Sequence, residues 1–130
     1  MQIKEWLNRG RDCEGMIADL ELEKEEARKQ VFGSGNNYRT AFHRYLDYEK
    51  KLDEEIDRLF FIKQEIFEII KRMPPGAERR LLQLRYLCMV DTWEHVAEKM
   101  HYDLRWIHRK IHPNALKMAE RIFQEQNESV

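Results

Sequence analysis

Apolar side chains recur along the chain in alternating steps of three and four. One run passes from Ile3 through Trp6, Gly10, Cys13, Ile17, Leu20, Lys24 and Ala27 to Val31. A second passes from Tyr38 through Phe42, Tyr45, Glu49, Leu52, Ile56, Leu59, Lys63, Ile66 and Ile70 to Met73. Both are heptad stripes, the spacing of helices that pair along a seam. Only "GSGNN" at 33–37 and "MPPG" at 73–76 break helical character strongly, because Gly and Asn favour turns and Pro ends a helix before it. The pattern predicts an all-α chain whose residues 1–73 form an antiparallel helical (coiled-coil) hairpin with its turn at 33–37.

A register that sets Val31 opposite Phe42, Ile17 opposite Ile56 and Ile3 opposite Ile70 also sets Lys24 opposite Glu49 and Gly10 opposite the stem of Lys63. Two polar interruptions then answer each other. The Lys24–Glu49 pair reads as a register-setting ion pair rather than a functional site. The stretch "LFFIKQEIFEII" leaves Phe60, Phe61, Phe67 and Ile69 beyond what one partner helix covers, which predicts a homodimer or a contact with the C-terminal module.

After the prolines the period persists in shorter pieces. Residues 77–87 form an amphipathic helix with Leu81, Leu84 and Leu87 or Leu82 inward, and Asp91 or Thr92 caps a helix in which Trp93, Val96, Ala97 and Met100 face the core. Glu94, placed after Asp91, suits a capping box. "HY" makes a turn, and Asp103 caps a last helix with Leu104, Ile107, Ile111, Ala115, Met118 and Ile122 inward. Pro113 removes a backbone donor and predicts a kink or break near His112. Residues 77–122 thus fit a three-helix helix-turn-helix unit, followed by a tail at 123–130.

Charge sharpens this picture. The net charge is −1 over 130 residues, so overall charge gives no argument for nucleic-acid binding. Its distribution does: residues 1–76 carry 14 Lys/Arg against 16 Asp/Glu, whereas residues 77–122 carry 9 against 6 together with four of the five histidines. On the last helix the expected outward set is Arg105, Trp106, His108, Arg109 and His112, with Lys110 at the margin. Arg79, Arg80 and Arg85 lie on the supporting helix. Arg bonds guanine edges in bidentate fashion and any cation meets phosphate, so these nine residues are the candidate contacts to double-stranded DNA.

Other chemistry finds less support. His108 and His112 stand four apart after Cys88 and His101, but without HExxH or CxxC no metal is expected. No nucleophile elbow or phosphate-binding glycine loop is present, and the acids alternate with Lys and Arg as on solvated faces, so no enzyme and no cofactor are expected. Cys13 and Cys88 read as reduced, buried thiols. Without an apolar run long enough to span a bilayer, and without a signal-peptide core, the expected location is the cytoplasm, away from membranes.

"LLQLRYL", "TWEHVAEKMHY" and "HPNAL" together resemble the C-terminal half of small phage and prophage transcriptional regulators of the ArpU-like and RinA-like kind, whose helix-turn-helix is similar to region four of sigma factors. The residues that carry the resemblance are Leu84-Arg85-Tyr86, Trp93-Glu94, Val96-Ala97-Glu98, Met100, Tyr102, and His112 with Ala115-Leu116. It implies sequence-specific promoter binding, often in late-gene control, with RNA polymerase as a further partner. The chain departs from the pattern at Pro113 and between Tyr102 and His112, where it is a residue longer. The alternative reading is a helical scaffold or phage packaging component.

Overall fold

The structure, a computed structural model, describes residues 2–33 and 35–128. Ser34 of the expected turn and Ser129 and Val130 of the expected tail lie outside the described residues. Every regular element among the described residues is helical: α1 (Ile3–Phe32), a 3-10 turn (Gly35–Asn37), α2 (Tyr38–Arg72), α3 (Ala77–Leu82), α4 (Trp93–Met100), α5 (Leu104–Trp106) and α6 (His112–Glu128). Two π turns complete them, Gln83–Leu87 after α3 and Ile107–Ile111 between α5 and α6. No helix among the described residues is long and apolar enough to cross a membrane.

The chain divides into two compact units, residues 12–62 and residues 1–11 with 63–130. The ends of the two long helices therefore belong with the C-terminal helices, and the boundary does not fall at the prolines.

In the unit of residues 12–62, segments of α1 and α2 pair in opposite directions. Cys13 and Ile17 cluster with Leu59 and Ile56. Further along, Glu23 accepts a hydrogen bond from Tyr48. Lys24 bonds Asp53 at 2.6 Å rather than the expected Glu49, while Ile17 and Ile56 lie in one buried cluster. The reason is the tilt of helical side chains, which lean toward the N-terminus of their own helix. In an antiparallel pair Lys24 and Asp53 lean toward each other, whereas Glu49 leans away and bonds Tyr45. Asp53 accordingly holds the Lys24 ammonium above its ordinary range. Val31 is buried, but Phe42, its expected partner, is 38% exposed, and Val31 lines a groove with Ala41 instead.

In the other unit, Gly10 faces Ile66 and not Lys63. A Cβ on Gly10 would stand 2.7 Å from Ile66 Cδ1, so the glycine is what lets these helices approach. Trp6 packs on Phe123 with ring centroids 5.0 Å apart, and α6 continues to Glu128, so most of the expected tail is helix. Leu81, Leu82, Tyr86, Val96, Ile107, Ala115 and Ala119 form the closed interior. Leu84, Leu87, Met118 and Ile122, expected inside, are only half-buried. Ile69 is buried as well, while Phe60, Phe61 and Phe67 remain exposed.

The two π turns explain most of these shifts. Their hydrogen bonds reach back five residues, as in Cys88 N–H to the Gln83 carbonyl and His112 N–H to the Ile107 carbonyl. Each turn rotates the residues after it relative to α-helical spacing. In and before the first turn the buried positions are Leu81, Leu82 and Tyr86, with Leu84 and Leu87 half-buried. After the second, the helix runs on through Pro113 without the expected break. Cys88, just past the first turn, is exposed rather than buried, while Cys13 is buried as expected.

The corrected pair can be tested by exchange of charge. Lys24→Glu is expected to lower the urea midpoint, and adding Asp53→Lys to restore it, with a coupling of about 0.5 kcal/mol because both groups are partly solvated. Adding Glu49→Lys to Lys24→Glu should restore less. An equal recovery from both second changes would reject the assignment.

Candidate nucleic-acid interface

α4 begins at Thr92, whose side-chain oxygen accepts from His95 N–H at 3.2 Å. Asp91 lies outside the helix and bonds the His95 ring at 2.6 Å, so Glu94 forms no capping box. This pairing raises the His95 pKa and lowers that of Asp91.

α4 ends in a Schellman arrangement. Tyr102 N–H bonds the Ala97 carbonyl at 3.1 Å and His101 N–H bonds the Glu98 carbonyl at 3.3 Å. His101 occupies the left-handed conformation at φ 59°, where glycine is usual. Asp103 then caps α5 by accepting from Arg105 N–H at 2.8 Å. The sequence signals for this turn, "HY" followed by Asp, are realised locally.

Beyond the turn, Ile107 and Ile111 point into the interior and are 0% and 3% exposed. Arg105, His108, Arg109 and Lys110 are exposed, and Trp106 is 50% exposed. Five of the nine candidate residues therefore share the solvent side of one segment. The ring of His108 also stands edge-on to Trp93, with centroids 5.5 Å apart.

The other four candidates divide differently. His112 is 8% exposed, because the π turn carries it inward. Its Nε2 lies 3.5 Å from the Tyr86 hydroxyl, and its ring centroid is 4.5 Å from that of Trp93. His112 is therefore a core residue and not a groove contact. Burial pushes its pKa down to about 4, with lesser contributions from Lys4, His108 and Arg85.

Arg85 is also recruited inward. Its Nη1 donates to the carbonyls of Val90 at 3.1 Å and Asp91 at 2.9 Å, and its guanidinium lies 4.7 Å from the Trp93 ring centroid. Its Nε is buried without a hydrogen-bond partner, and burial lowers its pKa. From the other side, Arg11 donates to the carbonyls of Arg85 at 2.6 Å and Val90 at 3.1 Å. Two cations thus hold the loop between the first π turn and α4, where free carbonyls attract positive charge. No spacing rule marks Arg11 in the sequence.

Arg79 makes a long contact with the Met73 carbonyl at 3.4 Å and is half-buried. Arg80 is exposed and donates to the Lys99 carbonyl at 3.0 Å, which ties the supporting helix to the end of α4. Among the described residues, no group of three His, Cys, Asp or Glu side chains is arranged to hold a metal ion.

His112 gives the stability of the fold a defined pH dependence. Its folded pKa is about 4, below the ordinary value of 6.5, so between these values the unfolded chain binds more protons than the folded one. Stability should therefore fall as pH drops through this window and level off below it. From about pH 7 to about pH 5 the loss should be about 2 kcal/mol. His112→Phe should flatten that part of the profile, as measured by urea midpoints; an unchanged slope would reject His112 as its source.

No family model, curated protein or solved structure matches this chain.

Proposed function

We propose that residues 77–122 form a helix-turn-helix that binds double-stranded DNA in a sequence-specific manner, with the segment from Leu104 to Ile111 entering the major groove. The observation that carries this reading is the shared solvent face of Arg105, Trp106, His108, Arg109 and Lys110 over the buried Ile107 and Ile111. A groove-reading helix needs cations and polar groups outward on a fixed apolar base. The preceding Schellman turn and the Asp103 cap supply a defined entry to that segment.

In this reading Arg105 and Arg109, one turn apart, address base edges. Arg80 addresses phosphate from the supporting helix. Arg85 and His112 act indirectly, by holding the α3–α4 loop and the base of the reading segment. The resemblance to phage and prophage regulators makes a promoter the proposed target, with RNA polymerase a proposed partner. The exposed Phe60, Phe61 and Phe67, at 50%, 62% and 41%, favour self-association as a homodimer. They are also the observation that favours the second reading, a scaffold protein in which the long helices build an assembly.

Binding to a pool of random duplexes, followed by titrations of selected sites at two salt concentrations, separates these readings. Arg105→Ala or Arg109→Ala should cost about 1–3 kcal/mol and flatten base preference at one position, whereas Arg80→Ala should weaken all sequences and reduce the salt slope by about one. Trp106→Ala should weaken binding and leave the melting temperature unchanged. Arg85→Ala should instead lower the melting temperature. No sequence enriched from the pool would reject the DNA reading and leave the scaffold.

Light scattering should give twice the mass of one chain at tens of micromolar. A single-chain mass would reject the homodimer without bearing on DNA binding.

A further inference from the structure

The segment Leu104–Ile111 reads "LRWIHRKI" and contains no Asp, Glu, Asn, Gln, Ser, Thr or Tyr. Its exposed side chains are Arg105, Trp106, His108, Arg109 and Lys110. Arg and Lys carry only hydrogen-bond donors, and the Trp indole carries one N–H donor and no acceptor. His108 alone can accept, through one ring nitrogen and only while neutral. The flanking acceptors in the sequence are Tyr102, Asp103 and Asn114. Asp103 already accepts from Arg105 N–H at 2.8 Å, and Asn114 is half-buried on α6.

Exposed cations on the long helices pair with acids of their own helix, as in Arg28–Glu25, Lys29–Glu26 and Arg58–Glu55. Among the described residues, no ion pair joins the side chain of Arg105, Arg109 or Lys110 to a carboxylate. Their donors are left for a ligand. The π turn changes the angles between these side chains, but not the kind of hydrogen bond that each can make.

In the major groove guanine presents the acceptors N7 and O6, and thymine presents O4. Cytosine presents the N4 donor, and adenine sets its N6 donor beside its N7 acceptor. Adenine is read by Asn or Gln and cytosine by Asp or Glu, because those side chains can accept from the amino groups. The segment holds none of the four. We propose, in a step that rests on the DNA reading, that this segment selects base pairs by their acceptor atoms, guanine first through Arg105 and Arg109, and takes no information from the amino groups of adenine and cytosine.

The test uses the full chain and duplexes enriched from a random pool. Guanine should be fixed at one or more enriched positions, and 7-deazaguanine placed there, which lacks the N7 acceptor, should weaken binding about tenfold. 2-Aminopurine in place of an adenine of the site takes the amino group out of the major groove, and should change affinity by less than about twofold. Arg105→Gln and Arg109→Gln each replace a pure donor with an amide that also accepts. Selection repeated with these variants should turn a guanine position into adenine in at least one of them. Unchanged base preference in both variants would overturn the proposal. So would an enriched site that loses affinity with 2-aminopurine and not with 7-deazaguanine, or one indifferent to both, which marks readout through duplex shape or phosphate. In each of these cases sequence-specific DNA binding itself would stand, whereas enrichment of no sequence would end both readings.

Discussion

The buried contact between Tyr86 and His112 organises the C-terminal helices. Tyr86 is 1% exposed and His112 8%, and their polar atoms meet at 3.5 Å inside an otherwise apolar interior. Tyr86 follows the buried Leu82 at the ordinary helical spacing of four, whereas His112 stands five residues after the buried Ile107, a spacing that a regular α-helix would put on different sides. The π turn Ile107–Ile111 accommodates that second spacing, and Tyr86 itself lies in the π turn Gln83–Leu87. A buried hydroxyl or imidazole without a partner costs of order 1–3 kcal/mol, so this contact ties the segment of Tyr86 to that of His112. Trp93 lies against His112 and brings α4 to the same point.

That constraint also separates the cations by role. Arg85 follows the first π turn inward and is spent on the Val90 and Asp91 carbonyls and the face of Trp93. Arg105 and Arg109 stay outside, because Ile107 and Ile111 on the same segment are held in the core. The basic excess of residues 77–122 is therefore not one patch. Part of it closes the loop before α4, and part remains available to a ligand.

The helices themselves were legible in the sequence, because heptad spacing, the Thr92 and Asp103 caps and the glycine-rich turn are all local signals. The ion pair of Lys24 was misplaced by one turn, since a register counted between Cα positions ignores the lean of side chains toward the helix N-terminus. Gly10 was recognised as a contact position, but its neighbour Ile66 follows from packing that no periodicity encodes. His112 is expected outward on a 3.6-residue period, and the π turn before it invalidates that period where it matters most. Pro113, for which a kink or break was expected, instead stands in an uninterrupted helix just after the second turn.

On the proposal that Leu104–Ile111 contacts DNA, the π turn also limits what that segment can present. A π turn widens the helix and changes which residues share a side, so side chains on either side of Ile107 do not keep the spacing of a regular recognition helix. Arg105 and Trp106 belong to the α-helical turn set by the Asp103 cap, whereas His108, Arg109 and Lys110 belong to the π turn. Their angular relation is fixed by Ile107 and Ile111 both being buried, not by a uniform helical period. Any base-by-base scheme for this face must start from that geometry. In a regular α-helix His112, five residues after Ile107, would fall away from the side that Ile107 occupies, so the π turn is what lets one segment bury Ile107 and His112 together.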